Sequence, residues 1–300
     1  MKKINLLSIL LFLFSVNIPI GALGNNGAMP TIIRPFGDSI TFGYSGDFSA
    51  TFSNCYSSQV WCFYPKVDID GYFGGGYRGV LTWFAINEKS KIIKPFGTVG
   101  LQTGGSSIRQ WLSMSQFHDG YPGARTDQMV PYSLMPTPLS PPMPMPMQIP
   151  TITLIHLGTN DILQGVDKKV DNNVIIDRAI SNLLRIIKNI LKYNNTQIYL
   201  AKIVMIPKIS YTNNIVTDYN KAIDKNFSKL KNVTIVDMSD LLTAKHFSPD
   251  KVHPNLSGYF KMSCRWAIAA NLFLSGKTCG DIKLNDLKTL LPLATVPLVL

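Results

Sequence analysis

Three hundred residues, 46% of them hydrophobic, suit one large α/β domain or two small ones with a sizeable core, and the sequence favours one. The formal charge of +11 is carried by lysines scattered on solvated helix faces, among them Lys221, Lys225, Lys229 and Lys231. An anionic partner surface is the alternative source of that charge; no basic cluster interleaved with aromatics points to nucleic acid.

From Met1 to Gly24 the chain shows a Lys2-Lys3 start, an apolar stretch from Ile4 to Phe14, and small residues at Gly21, Ala22 and Gly24. This is the architecture of a secretory signal, with the mature chain expected to begin near Asn25 and to be secreted or periplasmic. Asn17 and Pro19 interrupt the apolar stretch, which is short for a membrane span. Removing it takes away two lysines and lowers the formal charge from +11 to +9. Export also favours disulfides. The four cysteines fall into two local pairs, Cys55 with Cys62 and Cys264 with Cys279, although other pairings stay open.

Thr31 to Phe36 is an apolar run that predicts a buried strand, followed at once by Gly37-Asp38-Ser39-Ile40. Phe42 to Phe73, rich in Gly, Ser and aromatics, predicts a long loop, and Tyr77 to Ile86 a helix. A strand is expected at Ile92 to Val99, then a loop through Gly100, Gly104 and Gly105. Pro and Met crowd Met129 to Pro150, a composition that predicts an extended surface excursion. Further on, the strands Thr151 to Leu157, Gln197 to Ile206 and Val233 to Met238 alternate with helices. The first helix is marked by Ile176, Ile180, Leu183, Leu184, Ile187 and Leu191; the others are expected at Thr217 to Leu230 and Gly258 to Leu274. Such alternation implies right-handed crossovers and a parallel sheet covered on both faces, with ligands bound beyond the strands' carboxyl ends.

Three islands fall at those ends: Gly37-Asp38-Ser39-Ile40, Gly158-Thr159-Asn160-Asp161 and Asp250-Lys251-Val252-His253-Pro254. Acyl transfer needs a nucleophile, a base, an orienter for the base, and donors for an oxyanion. Ser39, His253 and Asp250 supply the first three. The expected donors are the Ser39 backbone N–H, the Asn160 side-chain amide and a backbone N–H from a tight glycine turn, for which Gly123 in His118-Asp119-Gly120-Tyr121-Pro122-Gly123 is the candidate. Asp38 is expected to stabilise its turn, Asp161 to fix its loop, and His156 to pack in the core. His118 and His246 are placed in loops, Arg125 is read as a loop salt-bridge partner, and neither a metal nor a phosphate-binding motif is present.

These residues resemble the SGNH, or GDSL, hydrolase superfamily, over most of the chain beyond the leader. Phe96 to Gly105, His118 to Gly123, Gly76-Tyr77-Arg78 and His253-Pro254-Asn255 with Gly258-Tyr259 are similar to secreted carbohydrate esterases of the acetylxylan esterase type. The resemblance implies a flavodoxin-like three-layer α/β/α sandwich around a parallel sheet over residues 25–283, excursion 129–150 included, with an apolar tail at 284–300. It also implies a cofactor-free esterase acting on acetylated carbohydrate or another ester, with Ser39 as nucleophile, His253 as base, Asp250 as its orienter, and Ser39, Gly123 and Asn160 as the oxyanion hole. Asp119 stands where those esterases usually have Glu, the Pro/Met segment looks like an insertion, and the tail from Leu284 to Leu300 is unusually apolar. These departures keep two alternatives open, a lysophospholipase, lipid acyl hydrolase or acyltransferase working at a membrane surface, and a carbohydrate-binding protein without turnover.

Overall fold

The computed structural model describes residues 31–44, 76–86, 93–94, 96–103, 117–134, 150–192, 196–209 and 214–281. The leader, the Cys55/Cys62 pair, residues 45–73 of the long loop, Gly104 and Gly105, positions 135–149 of the Pro/Met segment, and the apolar tail lie outside the described residues.

Among the described residues, seven strands form one sheet. In chain order they are β1 (Thr31–Gly37), β2 (Phe96–Thr98), β3 (Gln102–Thr103), β4 (Phe117–Gly120), β5 (Ile152–His156), β6 (Gln197–Lys202) and β7 (Val233–Asp237). The spatial order is β3-β4-β1-β5-β6-β7, with β2 paired to the start of β1 and β4 to its end. All pairings are parallel except that of β3 with β4. β1 and β5 are buried along almost their whole length, which is why both read as mainly apolar runs, with Arg34 in β1 and Thr153 and His156 in β5 as buried polar residues.

Alternation along the strands feeds two separate cores. Ile33, Leu154 and Ala201 face one core, shared with helices α2 (Gly76–Ile86) and α7 (Leu256–Ala269). Phe36, Ile155, Ile198 and Leu200 face the other, shared with α5 (Asn172–Ile190) and α6 (Ile215–Phe227). The three-layer α/β/α sandwich is therefore present, with a mostly parallel central sheet. The Cys264–Cys279 disulfide forms as the spacing predicts, joining α7 to the turn Cys279–Asp281.

Several elements depart from the sequence-based expectation. The strand foreseen at Ile92 to Val99 shortens to Phe96–Thr98, while Ile93 makes an isolated antiparallel bridge to Phe273. The Pro/Met segment does not begin as an extended chain: Met129 to Ser133 belong to helix α3 (Thr126–Ser133). Met129, Val130 and Ser133 are buried while Pro131 is exposed, so apolar burial outweighs the one backbone hydrogen bond that proline removes. His118, placed in a loop by its sequence, lies on β4, with its Nδ1 accepting from the Gly120 N–H at 2.9 Å.

β4 is held by charge. Arg34 of β1 is fully buried, donating from Nε to Asp119 Oδ2 at 2.7 Å and from Nη2 to the Tyr132 carbonyl at 2.8 Å. Asp119 Oδ1 accepts from the Leu101 N–H at 2.9 Å. The pair thus joins β1, β4, the turn before β3 and the end of α3. Asp119→Ala strands the Arg34 guanidinium in the interior and is expected to cost about 3–5 kcal/mol, whereas replacing both partners with apolar residues of similar volume costs far less. Urea unfolding midpoints of the single and paired variants, at unchanged m, check this.

Candidate active site

The end of β1 positions Ser39. Asp38 caps the one-turn helix α1 (Ser39–Phe42), its Oδ1 accepting from the Ile40 N–H at 2.9 Å, and Gly43 ends the turn in the left-handed region. Arg78 of α2 donates to the Thr41 and Phe42 carbonyls at 2.8 Å each, fixing the carboxyl end of the same turn from below. Burial raises the Asp38 carboxyl to about 7, although the Ile40 N–H and the nearby His253 pull it down. Ser39 itself is 7% exposed.

Asp250 and His253 arrive on the loop before α7. The loop is closed on itself: the Ser248 N–H donates to the His253 carbonyl at 2.8 Å, and Phe247 bridges Pro254. Lys251 takes a left-handed backbone, φ +58°, which turns the Val252 and His253 N–H groups back onto Asp250 Oδ1 at 2.9 and 3.0 Å. Asp250 Oδ2 is left for the imidazole and meets His253 Nδ1 at 2.5 Å. On the other side of the ring, His253 Nε2 lies 2.7 Å from Ser39 Oγ. Burial works against ionisation of Asp250, but the His253 ring and the two backbone N–H groups outweigh it, and the carboxyl lies below its ordinary value.

Tyr44, just past the Ser39 turn, packs edge-to-face with the His253 imidazole, centroids 4.6 Å apart. Its backbone is anchored twice, by its N–H to the Ser39 carbonyl at 2.9 Å and by the Tyr259 hydroxyl on its carbonyl at 2.5 Å. Nothing in the local sequence marks Tyr44 for this contact.

Asn160 stands on α4 (Thr159–Asp167), a helix the sequence pattern did not announce. The helix starts at Gly158, whose φ of +123° and closeness to Tyr219 admit no side chain: a Cβ there would lie 2.3 Å from the Tyr219 hydroxyl. That hydroxyl donates to the Leu157 carbonyl at 2.9 Å. Asn160 Nδ2 donates to the Ala124 carbonyl at 3.1 Å, placing the side chain beside the turn that holds Gly123, φ +76°. Asp161 fixes the same segment, with Oδ2 accepting from the Thr126 N–H at 2.9 Å and Oδ1 from its hydroxyl at 2.6 Å. Burial raises Asp161 to about 6 despite both Thr126 contacts. The structure therefore draws Ser39, His253 and Asp250 into one hydrogen-bonded line and brings Gly123 and Asn160 to one turn; no hydrogen bond among the described residues joins either of these two to Ser39.

The other candidates resolve simply. His156 is fully buried, neither ring nitrogen has a partner among the described residues, and burial lowers its pKa to about 4, as fits a neutral core residue. His246 Nδ1 accepts from the Thr243 N–H at 2.9 Å in a turn. Arg125 pairs with Asp127 at 2.9 Å on the surface of α3. Among the described residues no three His, Cys, Asp or Glu side chains gather as a metal site.

Residues 100–260 match the model of the GDSL-like lipase/acylhydrolase family. No curated protein matches the sequence. Among solved structures, the chain is similar to a Clostridium thermocellum family 3 carbohydrate esterase, 20% identical over 81% of this chain and 96% of that one, TM-score 0.53. It is similar in fold to an acetyl esterase mutant solved with acetate ion, 18% identical over 78% and 92%, TM-score 0.51. The lipase/acylhydrolase of Enterococcus faecalis is 14% identical over 81% and 97%, TM-score 0.50. At these identities the structures speak for the fold, and the family model for the chemistry: the chain belongs to the GDSL-like lipase/acylhydrolase family and is a carboxylic ester hydrolase.

Proposed function

We propose that the protein is an exported serine esterase that removes short acyl groups, acetyl first among them, from carbohydrate esters. The observation that carries the reading is the 2.7 Å contact of Ser39 Oγ with His253 Nε2, continued to Asp250 through Nδ1. In this reading Ser39 Oγ attacks the acyl carbonyl while its proton passes to His253 Nε2, and Asp250 stabilises the imidazolium and holds its tautomer. The oxyanion is taken up by the backbone N–H groups of Ser39 and Gly123 and by the Asn160 amide. One Asn160 Nδ2 hydrogen is engaged by Ala124, which leaves the second for the substrate. Collapse expels the sugar alkoxide, which takes the proton from His253. Water then attacks the acyl-enzyme with His253 as base, releasing the acid and restoring Ser39.

The substrate class is supported by the motifs around His118 to Gly123 and His253 to Tyr259 and by the fold shared with a carbohydrate esterase and an acetyl esterase. The test is hydrolysis of acetylated xylan, and of aryl esters from acetyl to long acyl chains, by the chain beginning at Asn25. The expected result is kcat/KM highest on acetyl esters and acetate release from the polymer. A long-chain preference would transfer the protein to the lipid hydrolases.

A further inference from the structure

We propose that Gln164, which no motif singles out, is a positioning residue for the oxyanion site, holding the Gly123 turn in register with Ser39. The inference rests on the oxyanion reading above. Gly123 is an exposed glycine with a left-handed backbone, and among the described residues other than its chain neighbours no atom lies within 4 Å of the place its Cβ would occupy. Among the described residues packing does not hold this turn on that side, and a glycine so placed has wide backbone freedom. Hydrogen bonds supply the constraint: the Ala124 N–H donates to the Tyr121 carbonyl at 3.1 Å within the turn, and α4 holds the turn from outside. Asn160 and Gln164, one helical turn apart, share a face of the helix. Asn160 holds the Ala124 carbonyl, and Gln164 Nε2 donates to the Gly123 carbonyl at 2.9 Å. The far side of the Gln164 amide accepts from Arg125 Nη1 at 2.8 Å, and Arg125 is braced by Asp127 through Nε and Nη2.

The two partners fix the amide's orientation without ambiguity. A carbonyl only accepts and a guanidinium only donates, so Nε2 must face Gly123 and Oε1 must face Arg125. Gln164 thus ties both ends of the short segment 123–125 to a rigid helix. If the Gly123 carbonyl is released, the peptide between Gly123 and Ala124 keeps the Ala124 N–H bond to the Tyr121 carbonyl but loses its tie to α4, the Gly123 dihedrals shift, and the Gly123 N–H of the preceding peptide no longer aims where negative charge develops. Such misplacement acts on the transition state more than on substrate binding.

The experiment uses three variants of the whole chain assayed on an acetyl aryl ester, with phenylboronic acid as a tetrahedral probe. Gln164→Met removes the donor at similar length, and Gln164→Glu keeps an acceptor for Arg125 but turns an oxygen toward the Gly123 carbonyl. Both are expected to lower kcat by about tenfold with KM nearly unchanged, to weaken boronate affinity in parallel, and to melt close to the parent protein. Asn160→Ala, the control for the underlying reading, is expected to lose about 100- to 1000-fold in kcat. If Asn160→Ala loses activity while both Gln164 variants keep full kcat and boronate affinity, the positioning role is overturned and the oxyanion site stands. A kcat loss in the Gln164 variants without weaker boronate binding also overturns it. Undiminished Asn160→Ala overturns the oxyanion reading itself.

Discussion

Ser39→Ala and His253→Ala are each expected to lower kcat on an acetyl ester by about a millionfold, and the double variant is expected to fall no further. The reason lies in the shared proton. Ser39 Oγ and His253 Nε2 are 2.7 Å apart, so the serine becomes a competent nucleophile only as the imidazole takes its hydrogen. Removing either atom ends the same step, and removing both ends it once. Residual turnover above the uncatalysed rate would come from the oxyanion donors acting on attacking water. Neither residue belongs to the two hydrophobic cores, so circular dichroism and melting temperature should stay near the parent values. Single-turnover and steady-state rates on one aryl acetate measure the effect; an additive loss in the double variant would mean that the two residues serve different steps.

Asp250→Asn is expected to cost about ten-thousandfold in kcat while leaving the loop in place. Asn can still accept, through Oδ1, the Val252 and His253 N–H groups that shape the turn around Lys251. Its amide nitrogen, however, must then face His253 Nδ1, where Asp250 Oδ2 now accepts. A donor there favours the tautomer with hydrogen on Nε2, which cannot take the serine proton. The same substitution alters the acid limb of stability. The Asp250 carboxyl lies below its ordinary value in the fold, so its ionised form contributes stability at pH above that ordinary value and loses it as pH falls through the lowered one. Asp250→Asn should therefore show a smaller decline in stability over that acid range. Denaturant midpoints across the range, alongside kcat at neutral pH, check both parts.

Much of this site is legible in the sequence because its parts are local. Ser39 follows an apolar strand buried on both faces, and Asp250 and His253 sit three residues apart on one loop, so their chemistry survives without knowledge of the fold. β4 was hidden for the opposite reason. Its four residues include His118 and Asp119, and the Asp119 carboxylate stays inside because Arg34, eighty-five positions away, supplies the countercharge. α4 was hidden by its brevity and low apolar content: Gly165 interrupts it, and in its first turn Asn160 and Asp161 are spent on the neighbouring turn rather than on the core. Once α4 is known to be a helix, the four-residue spacing of Asn160 and Gln164 is the signal that links them. Pro131 misdirected the reading of α3, since composition does not report that Met129 and Val130 have a buried face to fill.

The most direct test of the central claim is the intact mass and peptide map of the protein after exposure to an activated aryl phosphonate ester, which captures a serine made nucleophilic by its base. A single adduct on Ser39, formed at a rate that collapses in His253→Ala, is the predicted result. An adduct elsewhere, or none while acetyl esters are still hydrolysed, would contradict the account.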